Sequence, residues 1–476
     1  MIDRILKDSV LYTAPVLFAR GVAFLLLPVY TRILSPGLYG ALDLLMIFGS
    51  LGNLLLPLEV SQGAARYTAE SVNQPERKSV YASTALRFTA GCYLVFTTLA
   101  LAFAPDAARW LLGDAAFAPE FRLAVVYLAL NGLHALLLNQ LKWELRPGDY
   151  AKNHILVAGG SALASFLLAF VFRLGLPGIL YGMILGASAG LGFGAWQLRD
   201  RLRGRFERRA LGEMLAYSAP LAVSGLGVFV NTYVDRLMLN HFLSLESVGL
   251  YGMAMRIAGL SSLATVGLQS ALSPLVFSGH QRPETKLELA RLFRLFVAGA
   301  LLLTLGLALF AGEILRLVTT PAYYAAAPLV GWLAAALLLS GMYVFTPGLS
   351  LAKKTVLILA INVGGGILNL LLNLLLIPRL GLAGAAFATL IASGAVFGAY
   401  LLLSQRHYRV PHAWLPLLVA PALVSAAAAA GGRLGEPGLF SSVAKLALLA
   451  VAGLGMIALG LVRGSEIRAA LQRFRR

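Results

Sequence analysis

Long apolar runs separated by short polar stretches recur from one end of the chain to the other. A helix that crosses a bilayer needs about 20 mostly apolar residues. Fourteen runs approach or exceed that length: 10–32, 38–62, 83–104, 121–140, 153–172, 177–197, 213–234, 247–277, 293–311, 324–346, 355–378, 382–404, 413–431 and 440–462. None of the stretches between them, 105–120 and 198–212 included, is long enough to fold as a soluble domain. The pattern predicts an all-α polytopic membrane protein with 14 transmembrane helices. The first run follows a short charged start (Asp3, Arg4, Lys7, Asp8). It is longer than the core of a signal peptide and carries Arg20 and Pro28, so it reads as a retained first membrane helix.

Composition agrees. Of 476 residues, 59% are hydrophobic and 13% charged, with a mean hydropathy of +0.80. A soluble domain carries about a quarter charged residues. The single cysteine, Cys92, excludes a disulfide framework or a cysteine metal site. The net charge of +18 suggests nucleic acid until the charges are assigned to loops. With the N-terminus in the cytoplasm, most of the 39 Lys and Arg residues fall on the cytoplasmic side, including the cluster Arg199 to Arg209. Cytoplasmic loops of membrane proteins carry that excess, and one miscounted helix would reverse it downstream. The bias holds to the end of the chain, so both termini are expected in the cytoplasm. The basic charge is topological and calls for no nucleic-acid partner.

The chain also repeats itself. Gly37-Leu38-Tyr39-Gly40 returns as Gly249-Leu250-Tyr251-Gly252, and each copy is preceded by an Ala-Pro pair, at Pro15 and at Pro220. Arg173-Leu174-Gly175-Leu176-Pro177-Gly178 returns as Arg379-Leu380-Gly381-Leu382-Ala383-Gly384. Two echoes at nearly one offset, in one order, indicate an internal duplication. The copies lie between spans 1 and 2 and spans 7 and 8, and between spans 5 and 6 and spans 11 and 12. The repeat is therefore six helices. An even number of spans leaves both copies in the same orientation, as parallel repeats. The expected organisation is a six-helix lobe at 1–198, a basic cytoplasmic linker at 199–212, a second lobe at 213–405, and helices 13 and 14 with a basic tail at 406–476.

The chain has no phosphate loop and no Cys/His metal spacing, and it is read as a non-enzyme without cofactor or metal. Asn131 and His134 share a helix face. A membrane acyltransferase could use such a histidine, but a packed histidine in a helix bundle is the stronger reading. More informative are charges inside apolar runs, each costing about 2.5–3.5 kcal/mol on insertion scales. These are Arg20 in the first run, Asp43 and Glu59 in the second, and Arg256 in the eighth. Either they face a cavity, or Arg20 pairs with Asp43 and the others reach an interface. Asp43 and Glu59 are the candidate proton or cation sites. Asn362, Asn369 and Asn373 lie within about 40° on one helix face. Such a stripe lines a pathway or bonds neighbouring helices. Asn231, Asp235 and Arg236 end the seventh run, and Gln269 lies deep in the eighth. Pro15, Pro28, Pro57, Pro220 and Pro274 fall within runs, where broken helices suit a moving transporter.

Leu27-Pro28-Val29-Tyr30-Thr31-Arg32-Ile33-Leu34-Ser35-Pro36, running into the first Gly-Leu-Tyr-Gly, resembles the opening of Wzx-type oligosaccharide-lipid flippases. These belong to the multidrug/oligosaccharidyl-lipid/polysaccharide exporter superfamily. The chain is also similar to the lipid II flippase MurJ. The resemblance spans essentially the whole chain. It implies a V-shaped, two-lobed transporter in the bacterial inner membrane, moving an undecaprenyl-pyrophosphate-linked oligosaccharide by alternating access. It also implies a polysaccharide polymerase and a chain-length regulator as partners, beside the lipid bilayer itself. In that setting Arg20 and Arg256 would clamp the pyrophosphate, since guanidinium forks match phosphate oxygens. Asn231, Gln269, Asn362, Asn369 and Asn373 would meet the sugars. The competing expectation is a cation-coupled multidrug antiporter of the same superfamily. Its usual twelve helices and acidic cavity fit this chain less well.

Overall fold

The computed structural model describes residues 2–71, 73–265, 272, 282–435, 438–464 and 466. The fold is all-α, and thirteen helices among the described residues are long and apolar enough to cross a membrane. They coincide with thirteen of the fourteen expected runs. The remaining run, 247–277, lies partly outside the described residues, as do Gln269 and Pro274.

The helices are α1 (Ile2–Leu25), α2 (Leu27–Ile33), α3 (Pro36–Leu55), α4 (Val60–Glu70), α5 (Pro75–Ala102), α6 (Ala104–Leu112), α7 (Ala118–Trp143), α8 (Pro147–Phe166) and α9 (Gly175–Gln197). They continue as α10 (Arg208–Phe242), α11 (Leu245–Ala258), α12 (Pro283–Val318), α13 (Ala327–Gly341), α14 (Thr355–Leu380), α15 (Leu382–His407), α16 (Trp414–Gly432) and α17 (Leu439–Ala458). Several overrun the apolar runs because hydropathy stops at the first charge, whereas backbone hydrogen bonding does not. Proline marks the starts of α3, α5, α7, α8 and α12. It fits the first helical turn, where its missing N–H would have no partner.

Two expectations need correction. The second run was expected to be helical over 38–62, but α3 ends at Leu55. After Pro57, Leu58 (φ 48°) and Glu59 (φ 53°) take left-handed backbone before α4. Glu59 therefore sits in a break between helices. The stretch 105–120, expected as a loop, contains α6.

The chain divides into two compact units, Met1–Tyr233 and Val234–Arg476, with the boundary inside α10. In the first unit, α9 packs on α7 and α8, α1 on α8, and α5 and α3 on α7. In the second, α15 packs on α13 and α14, and α12 on α13, α16 and α17. The core between α12, α16 and α17 is apolar, with Leu305, Leu309, Ala420, Val424, Ala452 and Met456 buried in it. Into this setting Lys445 of α17 sends its Nζ to Glu313 Oε1 of α12 at 2.6 Å. Beyond α17, Glu466 Oε1 accepts from Arg291 Nε and Arg294 Nη2 of α12, both at 2.7 Å. Burial alone would raise the Glu466 carboxyl. The Arg463 amide and the two guanidinium groups outweigh that and hold it below its ordinary value.

Candidate functional site

The repeated motif does not form a connecting loop. In each copy it lies in the first turns of a helix whose start is capped by a serine. Ser35 Oγ accepts from the Leu38 amide at 3.4 Å before α3, and Ser244 Oγ from the Ser247 amide at 3.3 Å before α11. A serine at this position satisfies an amide that the helix itself leaves without a partner. Tyr39 and Tyr251 are 1% and 0% exposed. The first thing the duplication fixes is thus a buried tyrosine near the start of one helix in each unit.

In the second unit that tyrosine meets a carboxylate. Tyr251 of α11 donates its hydroxyl to Asp235 Oδ2 of α10 at 2.8 Å. Thr389 Oγ1 of α15 reaches the same oxygen at 2.8 Å and lies 3.0 Å from the tyrosine hydroxyl. Asn373 Nδ2 of α14 donates to Asp235 Oδ1 at 2.6 Å and to Asn369 Oδ1, one turn away, at 2.9 Å. Asp235 is 2% exposed, Asn369 1% and Asn373 0%. Asn373 Oδ1 is buried with no hydrogen-bond partner among the described residues.

A carboxylate removed from water costs several kcal/mol unless it is paired or hydrogen-bonded. Here three neutral donors from three other helices meet that demand, each charge-assisted bond contributing about 1.5–3 kcal/mol. The result is an oxygen-rich buried cluster around one carboxylate, with one unused amide oxygen. Among the described residues no three acidic, histidine or cysteine side chains gather as a divalent-metal site would require. The chemistry of this donor set suits a proton or one monovalent cation.

The other candidate residues are distributed as follows. Arg20 is exposed on α1 and Asn231 exposed on α10. Asp43 on α3, Glu59 after it and Arg256 on α11 are half-buried. Asn362 is exposed, and its Nδ2 donates to the Tyr400 hydroxyl at 3.1 Å. Gln269 lies outside the described residues. The asparagine stripe of α14 thus bonds neighbouring helices at its two ends, α15 through Asn362 and α10 through Asn373, with Asn369 bonded to Asn373 within α14.

His134 is the packed histidine of the sequence reading. It is 5% exposed, with Nε2 2.8 Å from Asn153 Oδ1. Asn153 Nδ2 in turn reaches the Gly190 carbonyl and Gln197 Oε1, tying α7, α8 and α9 together. Gly186-Ala187-Ser188-Ala189-Gly190 has the spacing of a serine-hydrolase elbow, but that elbow requires a strand-to-helix turn. This string lies inside α9, with Gly186 pressed on Ser161 and Gly190 on Val157.

A family model described as polysaccharide biosynthesis protein matches residues 5–280, more than half of the chain. The chain belongs to that family. Within the polysaccharide biosynthesis proteins, it is 25% identical over 409 residues to the probable low-salt glycan biosynthesis flippase Agl15 of Haloferax volcanii. That alignment covers 82% of this chain and 81% of the relative. Among solved structures, the lipid II flippase MurJ in an inward closed conformation matches with a TM-score of 0.72 at 14% identity, over 94% of this chain and 98% of that one. An inward-facing multidrug resistance MATE family transporter of the MOP superfamily matches with a TM-score of 0.66 at 16% identity, over 82% and 93% of the two chains. At these identities the structural matches speak to the fold. The sequence relative is a flippase by name, and thirteen candidate spans make this polysaccharide biosynthesis protein a multi-pass membrane protein.

Sequence reasoning noted Asp235 only as the end of a run and missed Tyr251 and Thr389 as its partners. The available signal was the repeated Tyr251, sixteen positions after a carboxylate in an apolar run.

Proposed function

We propose that the protein flips an undecaprenyl-pyrophosphate-linked oligosaccharide, of the O-antigen type used in lipopolysaccharide, from the cytoplasmic to the outer leaflet of a bacterial inner membrane. The observation that carries this reading is the alignment with a glycan biosynthesis flippase along four-fifths of the chain. Both termini lie in the cytoplasm in this reading, in keeping with the charge asymmetry of the loops. The lobes at 1–198 and 213–405 alternate access between the two sides. Arg20 and Arg256, one from each repeat, take the pyrophosphate, and Asn231, Gln269 and Asn362 meet the sugars. A polymerase and a chain-length regulator receive the product.

Ion coupling belongs to Asp235 in this proposal, with Asn369, Asn373, Tyr251 and Thr389 as its oxygen and hydroxyl partners. Asp43 and Glu59 remain the alternative carboxylates. A buried carboxylate that can exchange a proton or cation would also serve a multidrug antiporter, so the substrate decides between the two readings.

The test is polysaccharide export in a bacterial strain lacking its own flippase, normalised to folded protein in the membrane. Wild type restores export and confers no drug resistance. Losing one charge-assisted phosphate contact costs roughly 1.5–3 kcal/mol, or about ten- to a hundred-fold in affinity. Arg256→Ala therefore loses most export and Arg256→Lys keeps part of it. Wild-type export by a well-expressed Arg20→Ala/Arg256→Ala double variant removes the clamp. Drug efflux without export transfers the protein to the antiporter reading.

A further inference from the structure

A cavity of about 820 Å³ opens in the second unit, where α15 ends, α16 begins and the first turn of α12 lies alongside. It is lined by Lys286, Arg406 and Arg409, by Gln405, and by the apolar Leu287, Val410, Pro411 and Trp414. The lining contains three cations and no acidic side chain. Other basic residues near helix ends are matched with carboxylates: Arg77 with Glu207, Arg146 with Asp149, Arg201 with Glu144, and Arg291 and Arg294 with Glu466. Among the described residues, Arg406 and Arg409 have no such pairing. Lys286 places its Nζ 5.0 Å from the centre of the Tyr408 ring.

The cavity is also a fixed structure. Gln405 Nε2 donates to the Val410 carbonyl at 3.2 Å, and its Oε1 accepts from the Val410 amide at 3.0 Å. The turn carrying Arg409 is closed by that pair of bonds. His412 wedges the next residues in place between the rings of Phe293 (4.7 Å) and Trp414 (5.3 Å). Three like charges held around one cavity repel one another unless an anion joins them.

The place of the cavity says which anion. It lies at the ends of three apolar spans, where hydropathy gives way to charge and where a tryptophan such as Trp414 marks a membrane–water boundary. Its lining is cationic and apolar together. A free phosphate would use only the cations, whereas a lipid brings a phosphate and an acyl chain. Basic pockets between transmembrane helices hold anionic head groups in this way.

We infer that this cavity is a binding site for a lipid-borne phosphate, held by Lys286, Arg406 and Arg409 with the lipid's apolar portion against Leu287, Val410 and Trp414. The site does not depend on the flippase reading. Its ligand is either an anionic phospholipid of the bilayer or a polyprenyl pyrophosphate.

The experiment uses the full chain in detergent and native mass spectrometry to count bound lipid. Phosphatidylglycerol, phosphatidylcholine, undecaprenyl pyrophosphate and inorganic phosphate are the probes. Wild type binds phosphatidylglycerol or undecaprenyl pyrophosphate at least tenfold more tightly than phosphatidylcholine, and whichever of the two binds better names the source. The Lys286→Gln/Arg406→Gln/Arg409→Gln variant loses at least tenfold in that affinity and keeps the wild-type Tm in lipid-free detergent. An Arg406→Lys/Arg409→Lys variant retains most of the binding, which separates lost charge from lost fold. The inference is overturned if the triple Gln variant binds as wild type does, or if inorganic phosphate displaces the lipid at equal concentration.

Discussion

His412 is 9% exposed, and neither ring nitrogen has a hydrogen-bond partner among the described residues. It lies between spans, tilted against Phe293 and edge-on to Trp414, and burial pushes its pKa down to about 4. The histidine is therefore neutral in the folded protein well below its ordinary pKa of about 6.5. A folded-state pKa lowered in this way gives stability that is present above about pH 6.5 and is lost as pH falls toward 4. His412→Phe keeps the ring and removes two buried polar atoms with no partner, so it is neutral or stabilising at pH 7.5. Between pH 6.5 and 4 the wild-type Tm falls more steeply than that of His412→Phe. Parallel curves in a thermal-shift series would show that the ring is not buried neutral.

Asp235 poses the opposite case, a buried group with every carboxylate oxygen engaged. Asp235→Asn preserves size and removes the carboxylate of the cluster. If that group couples transport to an ion, the variant folds and flips lipid at a rate that no longer responds to a proton or sodium gradient. Reconstituted vesicles with and without each gradient measure this, with Asp43→Asn and Glu59→Gln beside it. A gradient response equal to wild type in Asp235→Asn moves coupling to another residue.

The helical hairpins show why certain elements were readable from sequence. Gly175 and Gly381, at matching places in the echoed segments, both take left-handed backbone (φ 60° and 59°), and each opens the second helix of its pair. Three residues on, Gly178 of α9 lies against the backbone of Ala169, and Gly384 of α15 against that of Leu376. A side chain at either place would push the two helices apart. The echo was visible because two tight turns and two close helix contacts each demand glycine. Of the Asp235 cluster only Tyr251 left such a trace, in the repeated Gly-Leu-Tyr-Gly. The cluster's members come from four helices, and the choice of partner is made only when those helices converge.

Another pairing of elements, Lys445 with Glu313, joins α17 to α12 inside an apolar core. Lys445 falls inside the apolar run 440–462, but sequence offers it no partner, since the two residues are 132 positions apart. Breaking one side of a buried pair leaves a lone charge, at a cost of roughly 3 kcal/mol. Lys445→Met alone should lower Tm and folded yield in the membrane. Lys445→Met with Glu313→Gln should recover most of that loss, because no uncompensated charge remains. If the double variant is as unstable as the single, the pair is not what docks α17.

At the scale of the whole chain, span positions were legible because hydropathy and loop charge are summed over many residues and survive local error. Helix ends were less legible: Pro57 stops α3 early, while α10 and α12 run on through Arg and Glu. The direction of insertion rests on the loop charges alone, and it can be tested independently of every side-chain contact. With Cys92 removed, single cysteines at Asn73 and Arg205 should react with a membrane-impermeant maleimide only after the cytoplasmic face is opened. Cysteines at Asp114 and Arg433 should react in intact cells. Asn73 precedes α5, Arg205 lies in the linker, and Asp114 and Arg433 follow α6 and α16, so the four positions sample both units. An odd number of crossings anywhere between Asp114 and Arg433 would invert Arg433 relative to Asp114. Labelling of Asp114 from outside and Arg433 from inside would therefore place a miscounted span between them, and because the nine other spans there are directly described, it would fall on 247–277. Fourteen spans, parallel repeats and cytoplasmic termini all require both residues on the outer face.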